Sequence, residues 1–254
     1  MTAINMMAIM LMIISVLVIG KGFVRLSCSI VINYLSIGVM IRFISWGFSI
    51  IPVTIFTAFT ILGTTVYLSG GSPDICQSVF VSCLCVMCLM GTLIYLVFGW
   101  AQIQGFGSEN TAELENMSIL INVKFLDVSF AMGLLTTMGA IIEGAMSVAV
   151  GMEQFYRTSK DLNKLFSFGI SIGEKMFGTL VNTLYFGFFG SSLALFIWFT
   201  RLNYGWDQLI NDKVFVFELL LILFSFLAVV IIIPVTVMCV ILQQQSINVH
   251  RSNR

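Results

Sequence analysis

The sequence predicts an all-α protein, a polytopic membrane helix bundle with about seven transmembrane helices and one further cytoplasmic amphipathic helix. Hydrophobic residues make up 59% of the 254 positions and charged residues 9%, whereas soluble domains have about 45–50% and about 25%. The apolar residues occur in runs long enough to cross a bilayer, which takes about 20 of them. Too little charge remains to cover a soluble globule, so we treat 1–254 as one integral membrane domain with the lipid bilayer as its main solvent.

Seven apolar runs qualify as membrane spans. The second run is the weakest, because Asn33 and Arg42 interrupt it. Pro52 falls in the first turn of the third run, where its missing N–H costs little. Pro234 lies inside the seventh run, which we expect it to kink. The predicted spans are 3–20, 26–45, 48–68, 76–100, 125–150, 176–200 and 214–242.

The distribution of basic residues predicts the orientation, since cytoplasmic loops carry an excess of Lys and Arg. With seven spans, one side of the membrane receives the loops after spans one, three and five and the carboxyl tail. That side holds eight of the 12 basic residues, which predicts an outside amino terminus and a cytoplasmic carboxyl terminus. No basic residue precedes the first run, so we interpret it as a retained span. The eight residues are Lys21, Arg25, Arg157, Lys160, Lys164, Lys175, Arg251 and Arg254.

Span five ends in a motif of small residues, GAIIEGAMSVAVG, at 139–151. One helical face of this motif is small and nearly flat, and small residues at four-residue spacing let helices approach closely in lipid. A tight helix–helix seam would explain that face. Glu143 adds a carboxylate that a seam does not require, and within a membrane such a group faces protein or a water-filled cavity by default. The face consists of Ala140, Glu143, Gly144, Ser147 and Gly151.

A polar, net basic connection leads to a second motif, GISIGEKMFGTLVNTL, at 169–184. Apolar residues recur at helical spacing over 162–176, which predicts an amphipathic helix along the inner membrane surface. The four-residue spacing of Gly169 and Gly173 indicates close packing. Gly173 and Gly178 are the expected bend points between this helix and span six.

Span six then carries a stripe of polar side chains. Asn182 needs a hydrogen-bond partner inside the membrane. One interpretation is that these residues join helices, at about a kcal/mol or less each. The other is a polar cavity or ion site between spans five and six. Its candidate residues are Glu143, Ser147, Lys175, Thr179, Asn182 and Thr183.

The two motifs resemble the YibE/F-like family of bacterial integral membrane proteins, in its shorter, YibF-like type. The family pattern GA-x-x-D-x-AMSI is followed by SG-x-x-IG-x-D-x-x-GT-x-x-NTL, and the resemblance covers about 105–242. Two departures matter: Glu143 stands where the first pattern has Asp, and Lys175 stands where the second has Asp. The matching residues in the two motifs are Gly139, Ala140, Ala145, Met146, Ser147, Gly169, Ile172, Gly173, Gly178, Thr179, Asn182, Thr183 and Leu184.

The resemblance implies a bacterial cell membrane protein that works with a YibE-like membrane partner or by self-association. Since Lys175 replaces a carboxylate, such a partner would have to supply the second acid of any paired site. Alternatively, Glu143 and Lys175 form an ion pair. The resemblance implies no biochemical activity.

Two functions compete at this point: a permease-like transport component, or a non-transporting membrane scaffold or receptor subunit of a heteromeric complex. We expect no enzyme, because the sequence lacks HExxH, GxSxG and any histidine within a span. We also expect no catalytic residue, no metal site and no cofactor. Acidic and basic residues balance at 12 each, so we expect no nucleic acid partner.

Overall fold

The computed structural model describes residues 3–69, 71–101, 124–159 and 162–252, and every regular element within them is a helix. This confirms the predicted all-α bundle. A short 3₁₀ turn, Gly20–Gly22, joins the first two α-helices. The α-helices are α1 (Ala3–Ile19), α2 (Phe23–Ser45), α3 (Ile50–Leu68), α4 (Pro73–Ala101), α5 (Phe125–Ser159), α6 (Leu162–Ser191), α7 (Leu193–Arg201), α8 (Trp206–Asn211) and α9 (Lys213–Ser252).

Five of the helices in the described ranges are each long and apolar enough to cross a membrane: α2, α3, α4, α5 and α9. A sixth span is formed if α6 and α7 are taken together, although the pair is bent by 51°. The first predicted span corresponds to α1, which has 17 residues and is shorter than the others. The structure therefore supports five to six full-length spans, against the seven that hydropathy predicts.

Helix α5 lies at the centre of the bundle, where it packs against α3, α4, α6 and α9. Its side chains Ile141 and Met152 are fully buried, as is Ile232 of α9. Lipid tails are as apolar as these side chains, so close van der Waals packing holds the helices together. Helix α2 joins the bundle through α3, and α1 makes few contacts beyond α2.

Polar side chains link helices at several places in this apolar structure. Asn33 of α2 donates to Thr65 Oγ1 at 2.9 Å and accepts from Thr64 Oγ1 at 2.5 Å, which ties α2 to α3. Thr236 of α9 donates to Ser82 Oγ of α4 at 3.3 Å. The polar residue that weakens the second hydropathic span is thus the one that attaches its helix.

Helix α6 differs from the prediction. The amphipathic segment and the start of span six form one uninterrupted helix, and the break comes at Ser192 rather than at Gly173 or Gly178. The apolar side of the segment faces α5 and α9, since Leu165 is fully buried in the core. The small residues of this side allow α5 and α9 to approach closely, which contact with the membrane surface would not require.

The helix α9 runs on for 18 residues beyond Pro234. Proline removes one backbone donor inside a helix, yet here it does not end the element. The predicted position of Pro52 in the first turn of α3 is confirmed.

Candidate functional site

Small residues bring α5 and α6 into contact. A Cβ added to Gly144 would lie 3.7 Å from Leu180 Cδ1 of α6 and 3.0 Å from Ile232 Cγ2 of α9. A Cβ on Gly151 would lie 2.7 Å from Ile172 Cδ1. These glycines therefore serve seams inside this chain.

The same holds for the glycines of the second motif. A Cβ on Gly169 would lie 2.8 Å from Met152 Sδ of α5 and 2.9 Å from Val237 Cγ2 of α9. Gly173 lies against Ile233 of α9. Gly178 is the exception among the predicted packing glycines, because it is exposed and has no atom within 4 Å of an added Cβ.

The single face predicted for the first motif is divided in the structure. Ala140 and Gly144 are buried, Gly151 and Ser147 are half-buried, and Glu143 is exposed. The contacts of α5 with its neighbouring helices cover only part of this face. The small residues Ala140 and Gly144 are inside these contacts, and the carboxylate of Glu143 is outside them. The polar residues of α6 are exposed as well: Lys175, Thr179, Asn182 and Thr183.

The exposed polar residues of both helices lie on one side of the molecule. Helices α5 and α6 are antiparallel, and they touch at Gly144 and Leu180. In an antiparallel pair, residues at the same sequence offset from the contact lie on the same side of it. Glu143 and Thr179 each precede a contact residue by one position.

Depth along the helices follows from such contacts. The contacts Gly144–Leu180, Gly151–Ile172 and Met152–Gly169 place Glu143 level with positions 178–181 of α6, so Asn182 is within about 6 Å of the same depth. Lys175 lies about 5–9 Å from that depth, toward the amino-terminal end of α6, at 1.5 Å of rise per residue. We refer to the exposed surface as the α5–α6 polar face. It consists of Thr136, Gly139, Glu143, Ser147, Lys175, Thr179, Asn182 and Thr183.

Most side chains of the polar face have no partner among the described residues. Thr183 Oγ1 donates to the backbone oxygen of Thr179 at 2.9 Å. By contrast, neither a hydrogen bond nor an ion pair involves the side chain of Glu143, Lys175 or Asn182 within the ranges that the structure describes. The ion pair that the sequence allows between Glu143 and Lys175 is therefore not formed.

The described residues do not enclose the polar face. Its residues do not line the cavities of about 760, 670 and 470 Å³ that occur elsewhere in the bundle. The first of these is lined mainly by aromatic residues of α6, α7, α8 and α9, such as Phe188 and Phe215. In the part of the chain that is described, no three His, Cys, Asp or Glu residues are grouped to hold a metal ion. What the polar face offers is a carboxylate, an amide, an ammonium and hydroxyls on one open wall.

The sequence reasoning missed Thr136. It is exposed on α5, two turns before Glu143, and it extends the polar face toward the amino-terminal end of the helix. The signal was present, because a spacing of seven residues repeats a helix face. The apolar surroundings of Thr136 masked that signal.

Comparison with known proteins places the chain in a family. A family model described as YibE/F-like protein matches residues 7–245. The match extends through the first four helices, where the motif resemblance rests on hydropathy. No curated protein and no solved structure matches the chain.

Proposed function

The chain belongs to the YibE/F-like family, and from that premise we propose that it is a permease-like transport component that works with a related membrane subunit. The proposal assigns it to the bacterial cell membrane. It assigns no catalytic residue and no cofactor, and it treats the chain as a non-enzyme.

One observation carries the proposal: the α5–α6 polar face is exposed near the middle of two long helices. Glu143 is exposed near the centre of the apolar stretch Phe125–Arg157. A charged side chain at such depth costs a few kcal/mol in lipid and by default faces protein or water. This chain covers only one side of Glu143, so a second subunit is needed to complete a water-accessible path.

The residues of the wall suit a small cation or a proton. Glu143 provides a negative charge, and Asn182 and Ser147 provide oxygens that can replace part of a hydration shell. Lys175 lies nearer the inner end, where its positive charge would limit how many cations occupy the path. The chain has no nucleotide-binding loop, so the proposal makes flux dependent on a gradient or on a further subunit.

Flux through reconstituted vesicles tests the proposal. The complex purified from its native membrane is placed in proteoliposomes with an internal pH dye, and proton flux and sodium or potassium gradients are measured. We expect Glu143→Gln to lower flux about tenfold and Asn182→Ala several-fold, as for loss of a charge or hydrogen bond at a transport site.

Glu174→Gln is the matched control, because Glu174 is exposed one position before Lys175 on the same helix. We expect this variant to keep wild-type flux. Unchanged flux in Glu143→Gln and Asn182→Ala would overturn this site as the path.

The second candidate function is a non-transporting scaffold or receptor subunit of a heteromeric complex. It is favoured by Gly139, which lies on the polar face with no atom within 4 Å of an added Cβ. An open glycine of this kind admits a close helix from another subunit. Loss of a stoichiometric partner in Gly139→Leu, in vesicles where the wild type carries no flux, would select this function.

The proposed orientation has an outside amino terminus and a cytoplasmic carboxyl terminus. It follows from the excess of basic residues on one side and requires α1 to cross the membrane. A reporter active only in the cytoplasm, fused after Arg254, is expected to be active. If the reporter is active when it is fused before Met1 and inactive after Arg254, the proposed orientation is reversed.

A further inference from the structure

We propose that the α5–α6 polar face binds a second copy of this chain, in a symmetric dimer whose two-fold axis runs along the membrane normal. The inference rests on the proposed function in one respect: both assign the polar face to a subunit contact. It adds the identity of the subunit and the residues that meet across the contact.

The first argument is that the face carries both signs of charge. Glu143 and Lys175 are both exposed there, and neither has a partner among the described residues. An interface with two-fold symmetry is self-complementary: if one residue of the first copy contacts a second residue of its partner, the reverse contact is made as well. A face with one carboxylate and one ammonium can therefore satisfy both charges with a copy of itself.

The second argument is the depth of the polar groups. A two-fold rotation about the membrane normal places α5 of one copy opposite α6 of the other and leaves every depth unchanged. Glu143 of one copy then lies within about 6 Å of the depth of Asn182 of the second copy. The amide of Asn182 can donate to the carboxylate, and the flexible stem of Lys175 can extend toward it from below.

The third argument is shape. A Cβ on Gly139 would meet no atom within 4 Å, so the backbone of α5 is open there. Phe186 of α6 is 70% exposed on the side of the polar face and lies within about 6 Å of the depth of Gly139, by the register of the α5–α6 contacts. In the dimer, Phe186 of the second copy fills the space above Gly139. Such a knob beside a glycine is typical of close helix packing in membranes.

Charge exchange between two tagged copies tests the proposal in native membranes. Wild-type copies with different tags should co-purify. Glu143→Lys puts two positive charges on the face, and Lys175→Glu puts two negative charges on it. We expect each variant to lose about tenfold in self-association, because like charges now meet in a membrane interface. The two variants expressed together should pair at the wild-type level, since opposite charges face each other at both positions.

Cross-linking tests the same register without altering a charge. Gly139→Cys in one tagged copy and Phe186→Cys in the other should cross-link. Tyr185→Cys is the matched control, because Tyr185 is exposed at nearly the same depth but on the other side of α6. Cross-linking through Tyr185 equal to that through Phe186 would overturn the register.

Two further results would overturn the dimer. One is the failure of differently tagged wild-type copies to co-purify. The other is a finding that a different protein, and not a second copy of this chain, protects Phe186→Cys from labelling. Either result leaves the flux experiment free to succeed with another subunit. A dimer that forms but carries no flux would instead remove the transport function and keep the interface.

Discussion

Helix α5 has two sides that are built from similar residues and serve different purposes. On the packed side, Gly144 and Gly151 bring α6 and α9 within contact distance. On the open side, Gly139 has empty space around it and Glu143 has no partner in the described part of the chain. Small residues alone therefore do not tell which side of a membrane helix is used within the chain.

The difference between the two sides lies in what accompanies the small residues. Around Gly144 the neighbouring side chains are aliphatic, and the seam is complete. Around Gly139 the neighbours on the same stripe are Thr136 and Glu143, which lipid does not satisfy. A surface that is both small and polar is suited to another protein or to water. Substitutions on the packed side should therefore lower stability, and substitutions on the open side should lower pairing and flux.

The largest effect is expected from Gly169→Leu on the packed side of α6. Its side chain would collide with Met152 of α5 and Val237 of α9, so we expect a loss of about 3 kcal/mol of stability. Gly178→Leu, on the same helix in open space, should stay within about 0.5 kcal/mol of the wild type. Titration with SDS in micelles measures both, and equal losses would show that the two sides of α6 do not differ in packing.

A smaller effect is expected at the polar link between α2 and α3. Asn33→Leu removes the hydrogen bonds to Thr64 and Thr65, for an expected loss of about 1 kcal/mol. Ser36→Ala is the control, since Ser36 bonds only to the backbone of its own helix at Ile32. The same SDS titration applies. If Asn33→Leu proved as stable as the control, the link would not hold α2 in place.

The buried link between α4 and α9 should contribute less. Thr236→Val deletes one hydrogen bond, to Ser82 at 3.3 Å, and we expect about 0.6 kcal/mol, the average for such bonds in membranes. Thr60→Val serves as the control because Thr60 is half-buried and donates only to the backbone oxygen of Phe56 in its own helix. A loss several times larger would mean that the link anchors the core.

The smallest effect on the stability of a single chain is expected on the open side. Glu143→Gln removes a charge that has no partner among the described residues, so the free energy of unfolding of the monomer in detergent should change by no more than about 0.5 kcal/mol. Pairing and flux should fall in the same variant. Lys175→Gln should likewise lower pairing and leave the stability of the monomer unchanged within about 0.5 kcal/mol. A loss of monomer stability above that of Thr236→Val would assign Glu143 to the packed side and break the comparison.

The helix count shows what periodicity can and cannot predict. Runs of apolar residues predicted where α2, α3, α4, α5 and α9 begin to within three residues, but α5 and α9 continue nine and ten residues past the predicted ends of their spans. They did not predict that α6 continues unbroken through Gly173 and Gly178. A glycine permits a bend, but neighbouring helices decide whether the bend is used. Gly169 and Gly173 are both held against α9, which keeps the segment straight on the bundle.

The candidate site was predicted as a set of residue types and not as an arrangement. The sequence singled out Glu143, Ser147, Lys175 and Asn182, because charged and amide groups are rare and costly in apolar helices. A helical wheel joined Glu143 to Gly144 and Ala140 in one face. The structure separates them, since Ala140 and Gly144 are buried by neighbouring helices while Glu143 is exposed.

Composition and hydropathy by themselves determined that this chain is a helical membrane protein, because lipid satisfies no backbone polar group and so requires helices or closed barrels. The two motifs determined the family and the chemically distinctive residues. Tertiary structure alone decided that the glycines of 144–173 join helices within the chain, while Glu143, Lys175 and Asn182 lie together outside it. The physical reason is that the register between α5, α6 and α9 is set by the fit of many side chains across several helices, which no local pattern contains.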